Sequence, residues 1–221
     1  MIILNEILLI ICAYLLGSIP NALIISKLFF KKDIREFGSK NMGATNTLRV
    51  LGLKYAAMVF ILDAMKASIL VILFTYNIID NSLIPHLHPI YLGFASIIGH
   101  IFPIFAKFKG GKGVACTTGI LLSFSPLCFL IEAILFFTIF LSTKIVSLSS
   151  IISITGVFIS SFFIGPITTN QTDYIFTIFC GVVMLIIIFD HSKNIKRLIN
   201  GTESKIDKSS LEKSKIKIEK K

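Results

Sequence analysis

Residues 108–113 read FKGGKG, three glycines and two lysines in six positions of a chain that is 54% hydrophobic. Glycine lets backbone N–H groups approach a ligand closely, and lysine adds mobile positive charge. A helix opening near Val114 aims its positive dipole end at the same point. Lys109, Gly110, Gly111, Lys112 and Gly113 are therefore read as a phosphate-binding loop. It is not a Walker A loop, because Gly113 follows Lys112 where Ser or Thr would be needed.

Two further polar clusters carry compatible chemistry. The run DIREFGSKNMGATNTLR, residues 33–49, offers Ser39, Asn41, Thr45, Asn46 and Arg49, with Gly38 and Gly43 between them. Arg49 suits a phosphate clamp, since its planar fork matches phosphate oxygens. The run DHSKNIKRLINGTE, residues 190–203, places His191 and Asn194 three apart, on one face of a continuing helix. His100, inside an apolar run beside Pro103, is read as a hydrogen-bonded structural histidine rather than a catalyst.

The elements that position these clusters must lie in a membrane. The chain has 221 residues, a mean hydropathy of +0.85 and 20 Phe, more apolar than a soluble domain. Candidate spans run over about 2–30, 55–75, 90–106, 115–142, 145–165 and 174–190. The first span is not read as a cleaved leader, since no basic residue precedes Lys27 and no A-x-A site follows. Connections 31–54 and 107–113 are rich in Lys and Arg, 76–90 and 166–173 hold none, and ten follow Asp190. Positive connections face the cytoplasm, which puts 31–54, 107–113 and 191–221 inside. Parity then requires three crossings between Lys112 and the outer connection at 166–173. Splitting 115–142 near Ser123–Pro126, where proline interrupts a helix, supplies the third; a single long tilted helix over 115–142 is the alternative. The expectation is an all-α integral membrane protein, a bundle of seven transmembrane helices with its N-terminus outside and its C-terminus cytoplasmic.

Within the spans, Asp63 and Lys66 are three apart and read as a structural ion pair across one turn, while Glu132 awaits a buried polar partner. Cys12, Cys116, Cys128 and Cys180 fall at no ligand spacing, so no metal site is expected. Residues 1–203 form the membrane domain, and residues 204–221 read as a basic, disordered cytoplasmic tail attracted to anionic head groups. A transporter of a small phosphorylated solute is the competing class. It would need polar groups reaching the outer face and often an internal repeat, whereas the polar clusters here lie on one side.

All three clusters match one family. With GSIP at 17–20, the segments 33–49, 99–115 (GHIFPIFAKFKGGKGVA) and 191–203 resemble the motifs of the bacterial acyl-phosphate-dependent glycerol-3-phosphate acyltransferases (PlsY). Lys40 stands where many relatives carry Gly, and Cys116 where Thr is frequent. The resemblance implies a seven-helix enzyme of the bacterial inner membrane with its active site on the cytoplasmic face. It implies acyl transfer from acyl phosphate to the 1-hydroxyl of glycerol 3-phosphate, giving lysophosphatidic acid and phosphate in the first acylation of phospholipid synthesis. No cofactor is implied, and the partners are the two substrates and membrane lipid, not nucleic acid. Carried over residue by residue, Ser39, Arg49, His191 and Asn194 serve catalysis. Gly110, Gly111 and Gly113, with Lys112, form the glycerol-3-phosphate loop and Glu203 keeps the structure intact, while Asn41, Thr45, Asn46 and Lys109 are read from their own clusters as further substrate-binding residues. One of Ser147, Ser149 and Ser150 is a further site serine. Either His191 or the phosphate of glycerol 3-phosphate is the base.

Overall fold

Helix lets a chain this apolar satisfy its backbone inside lipid. The computed structural model of the chain, which describes residues 2–169 and 173–206, has ten α-helices and no strand among them. Residues 170–172 of the expected outer connection and 207–221 of the expected tail lie outside the described residues.

The first span is two helices, α1 (Ile2–Gly17) and α2 (Asn21–Phe30), separated at Ser18–Pro20. Pro20 has no N–H to continue the ladder, so the chain breaks inside the bilayer segment. A short amphipathic helix, α3 (Ala44–Leu51), leads through Gly52, at φ 91°, into the long α4 (Leu53–Thr75). Next come α5 (Ile90–Ile101) and α6 (Val114–Phe124). The interruption expected near Ser123–Pro126 falls at Ser125 (φ −141°, ψ 83°), and Pro126 opens α7 (Pro126–Thr143). The single-helix alternative for 115–142 is thereby removed. Lys144, left-handed at φ 61°, turns the chain into α8 (Val146–Thr169). Asp173 caps α9 (Tyr174–Asp190) by accepting from the Phe176 N–H at 2.9 Å. Helix α10 (Ser192–Ile199) then departs at 61°.

Among the described residues, four apolar segments are long enough to cross a membrane: 2–30, Leu53–Thr75, Pro126–Thr143 and Val146–Ile164; counting the bent pair α9–α10 as one span makes five. Helices α5 and α6 are equally apolar but short, 12 and 11 residues, or roughly 17 to 18 Å at 1.5 Å per residue. Outward faces carry large apolar side chains such as Leu4, Ile61, Phe137, Leu185 and Phe189.

Inside, helices meet through small residues. A Cβ at Gly17 would lie 2.1 Å from the Ser96 carbonyl oxygen, and one at Gly99 would lie 2.2 Å from that of Tyr14. Helices α1 and α5 thus touch backbone to backbone, the mode expected where lipid gives helices no hydrophobic drive to associate. The Ser96 hydroxyl ties the pair by donating to the Ala13 carbonyl at 2.8 Å. Gly119 of α6 sits equally close to Ala64 of α4. Val71, Ile97, Ile120, Ile154, Val157, Val183 and Ile187 fill the core between α4, α5, α6, α8 and α9. Asp63 and Lys66 do pair, at 2.7 Å. The partner of Glu132 is the Thr118 hydroxyl, which donates at 2.8 Å.

Candidate active site

The loop before α3 is built by its own polar side chains. Asp33 accepts from the Arg35 backbone N–H at 3.0 Å and pairs with its guanidinium at 2.6 Å. Arg35 also reaches across to the Ala106 carbonyl at 3.3 Å. Asn46, 1% exposed, holds the centre. Its Oδ1 accepts from the Ser39 N–H at 2.8 Å, and its Nδ2 donates to the carbonyls of Ile34, Phe37 and Asn41 at 3.3, 3.1 and 2.9 Å. With each polar atom so engaged, Asn46 shapes the loop. Gly38 (φ 57°) makes room for it, since a Cβ there would lie 2.3 Å from the Asn46 Oδ1. Ser39 is carried on the exposed rim, and Ile34, Met42 and Val50 pack this loop against Ala106 of the second polar segment.

The glycine loop at 110–113 is pressed onto the end of α5. A Cβ on Gly110 would meet the His100 carbonyl oxygen at 2.0 Å, and one on Gly111 would meet the imidazole Nε2 at 2.0 Å. The Gly111 N–H donates to the His100 carbonyl at 3.1 Å. Gly113, at φ 84°, then turns the chain into α6 and takes the N-cap position, accepting from the Thr117 N–H at 2.8 Å. A side chain at 113 would be strained in that left-handed conformation.

Lys112 projects from this loop to the third polar segment, where its Nζ donates to the Asn194 Oδ1. Asn194 in turn donates to Glu203 Oε1 at 2.6 Å. Glu203 also accepts from the Ser147 hydroxyl at 2.8 Å and from Arg197 Nε at 2.6 Å. Ser149 and Ser150 instead donate to the carbonyls four residues earlier, of Ile145 and Val146, so of the three serines Ser147 is the one joined to this cluster. The Ile206 N–H donates to the Lys144 carbonyl at 2.8 Å, which fastens the segment after α10 to the start of α8.

Charge at this junction is predominantly positive. Arg49 lies within the electrostatic reach of Lys112, Arg197 and Glu203, and its buried Nε has no hydrogen-bond partner. Burial lowers the Arg49 pKa. Burial also pulls Lys112 down to about 8; Glu203 and Asp190 oppose the shift, and Arg197 and Arg49 add to it. Burial alone would raise the Glu203 pKa, but the bonds from Arg197, Asn194 and Ser147 outweigh it and hold the carboxylate below its usual range. An anion entering here would gain the orphan donor of Arg49 and stabilise the protonated form of Lys112.

His191, 4% exposed, has Nδ1 2.8 Å from the Ile187 carbonyl oxygen. Burial, reinforced by the Lys112 charge, holds its pKa at about 4. The ring is neutral near pH 7. A carbonyl only accepts, so Nδ1 carries the hydrogen and Nε2 keeps its lone pair.

The structure thus brings together Lys112, Asn194, Ser147 and Glu203 by direct bonds, with Arg49 and His191 in the same field. Among the described residues, no hydrogen bond joins Ser39, Asn41, Thr45 or the exposed Lys109 to that cluster. Arg197 is the member that sequence reasoning passed over. Its spacing, three residues after Asn194 on one helix, was the available clue.

Comparison with known proteins leads to the same chemistry. The model of the family described as glycerol-3-phosphate acyltransferase matches residues 7–201. A Macrococcus caseolyticus glycerol-3-phosphate acyltransferase is 48% identical over 199 residues, covering 90% of this chain and 96% of its own length. A Listeria monocytogenes protein of the same name is 42% identical over 205 residues, covering 91% and 97%. The crystal structure of PlsY (YgiH), an integral membrane glycerol 3-phosphate acyltransferase, in its glycerol 3-phosphate form is similar with a TM-score of 0.81. The two are 35% identical, over 93% of this chain and 97% of that one. Its lysophosphatidic acid form gives a TM-score of 0.77.

Proposed function

The chain belongs to the PlsY family of integral membrane glycerol-3-phosphate acyltransferases, and from that premise we propose that it takes its acyl group from acyl phosphate. The acceptor is the 1-hydroxyl of glycerol 3-phosphate, and the products are lysophosphatidic acid and inorganic phosphate. The observation that supports this reading best is the cation-rich junction of Arg49, Lys112 and Arg197, with its unpartnered buried Arg49 Nε. Both substrates carry phosphate, and both need such a site.

In this reading Gly110, Gly111, Gly113, Lys109 and Lys112 hold the phosphate of glycerol 3-phosphate. Ser39, Arg49, Asn41 and Thr45 receive the acyl phosphate, and Asn46 acts on substrate through the loop it organises. The hydroxyl oxygen attacks the acyl carbonyl carbon, the bond from that carbon to the phosphate oxygen breaks, and phosphate departs with the bonding pair. Acyl phosphate is already activated, so positioning and charge stabilisation carry most of the task.

A pKa of about 4 makes His191 a weak base near neutrality. The attacking hydroxyl therefore gives its proton to the phosphate of its own substrate, while Nε2 of His191 accepts a hydrogen bond from the neighbouring 2-hydroxyl and so orients the glycerol. Asn194 aligns Lys112, and Glu203 holds Asn194, Arg197 and Ser147 in place.

Topologically, α5 and α6 cross as short spans in a locally thinned bilayer. This gives seven crossings, an outer N-terminus and a site on the cytoplasmic face of the inner membrane. Residues 1–203 make up the membrane domain, and 204–221 the basic tail. The test is lysophosphatidic acid formation by purified protein supplied with acyl phosphate, acyl-CoA or acyl carrier protein thioester, each with and without glycerol 3-phosphate, with phosphate release followed in the acyl phosphate arm. Release from acyl phosphate only when glycerol 3-phosphate is present is expected. A thioester preference would overturn the donor assignment.

A further inference from the structure

The molecule holds a second polar cluster behind the glycine loop. Asp63 of α4 is 1% exposed. Its Oδ1 accepts from Asn21 Nδ2 at 2.9 Å and pairs with Lys66 at 2.7 Å. Lys66 also donates to the Ile19 carbonyl at 2.7 Å, a group left available by the break before Pro20. On the other side, Nδ1 of His100 lies 3.6 Å from the same Asp63 oxygen. A small cavity, lined by Asn21, Met42, Asp63, Lys66, His100 and Gly111, joins this cluster to the loop.

His100 faces both ways. One edge of its ring looks at Asp63, and the opposite edge fills the space that a side chain on Gly111 would need, with Nε2, Cε1 and Cδ2 at 2.0, 2.7 and 3.0 Å from a Cβ there. Its carbonyl accepts the Gly111 N–H. The imidazole therefore limits how far the loop backbone approaches α5, and the imidazole itself sits between Asp63, which Asn21 and Lys66 fix, and Cys116 of α6.

We propose that Asp63 and His100 are positioning residues for the glycine loop, and through it for the phosphate of glycerol 3-phosphate. The proposal rests on the substrate assignment above. A pair that merely braced helices would affect both substrates alike. A pair that aims one loop changes the affinity for one substrate.

The experiment is a double-mutant cycle over His100→Ala and Gly111→Ala, measuring KM for each substrate, kcat and thermal stability in detergent. Each single variant is expected to raise the glycerol 3-phosphate KM about tenfold or more, with the acyl phosphate KM and kcat changed by less than about threefold. The added methyl of Gly111→Ala collides specifically with the imidazole, so the double variant should be no worse than His100→Ala alone. Multiplicative effects in the double variant, or an unmoved glycerol 3-phosphate KM in both singles, would overturn the proposal. If His100→Ala fails to insert, His100→Asn takes its place in the cycle with the same criteria. For Asp63, the variant Asp63→Asn/Lys66→Met removes both charges together and leaves no buried ion unpaired. It should reproduce the selective KM rise, and a loss shared equally between both substrates would count against Asp63. Wild-type turnover separates the two ideas. A silent wild type defeats the substrate assignment, whereas an active wild type with an additive cycle defeats only this inference.

Discussion

The two buried charge clusters are opposites in design. Around Asp63, a carboxylate, an ammonium, an amide and an imidazole answer one another, and the Ile19 carbonyl takes a second ammonium direction. Around Lys112, the cations Arg49, Lys112 and Arg197 outnumber the carboxylates of Glu203 and Asp190, and both a buried guanidinium nitrogen of Arg49 and a buried oxygen of Asp190 have no hydrogen-bond partner. A matched cluster in a bilayer is structure, because nothing further is needed to neutralise it. A mismatched one is held in readiness for an anion. The difference teaches that satisfaction, more than residue type, separates scaffold from site here.

Three perturbations sharpen that contrast. The largest concerns Glu203, which anchors the mismatched cluster by accepting from three side chains. Glu203→Ala leaves buried Ser147 and Asn194 without an acceptor and should cost on the order of 3 kcal/mol. The loss would be read as a lowered thermal midpoint and reduced insertion, with Glu203→Gln milder.

Lys112 should behave in the opposite sense. Its pKa in the folded protein, about 8, lies below the ordinary 10.5, so the charged form disfavours the substrate-free fold at neutral pH. From about pH 8 to 10.5 the unfolded chain binds the extra proton, and stability without substrate rises with pH across that window. Phosphate binding wants the charge, so kcat/KM for glycerol 3-phosphate should fall above about pH 8. Lys112→Met should abolish that inflection and raise KM about a hundredfold, while stability holds or increases. A drop in stability with KM unchanged would place Lys112 with the scaffold.

The smallest effect is at Lys40, which is left-handed at φ 61° in the loop that Asn46 organises. A non-glycine residue there costs roughly 1–2 kcal/mol, partly offset by the greater freedom glycine has when unfolded. Lys40→Gly should therefore raise stability by less than about 1 kcal/mol and leave turnover alone. Melting curves and the phosphate-release assay check both.

Much of this was legible in the residues, because hydropathy and proline act locally. The interruption at Ser125 and the Asp63–Lys66 pair follow from local charge, spacing and proline chemistry. What escaped depended on tertiary partners. Asn46 looked like a substrate ligand until its amide was found bonded to four backbone groups of its own loop. Ser147, Ser149 and Ser150 were indistinguishable until one of them was seen facing Glu203 across 56 positions of sequence. Arg197 was one basic residue among many in its segment.

The bond from Ile206 to Lys144 and the grip of Glu203 on Ser147 have a consequence for biogenesis. Both fasteners emerge from the ribosome after every hydrophobic helix has been synthesised. A nascent chain can thus thread into the bilayer with its reaction chamber still open, and the finishing clasp is applied by residues translated after α10. Stalled or prematurely terminated products that stop short of residue 203 would be inserted yet inert.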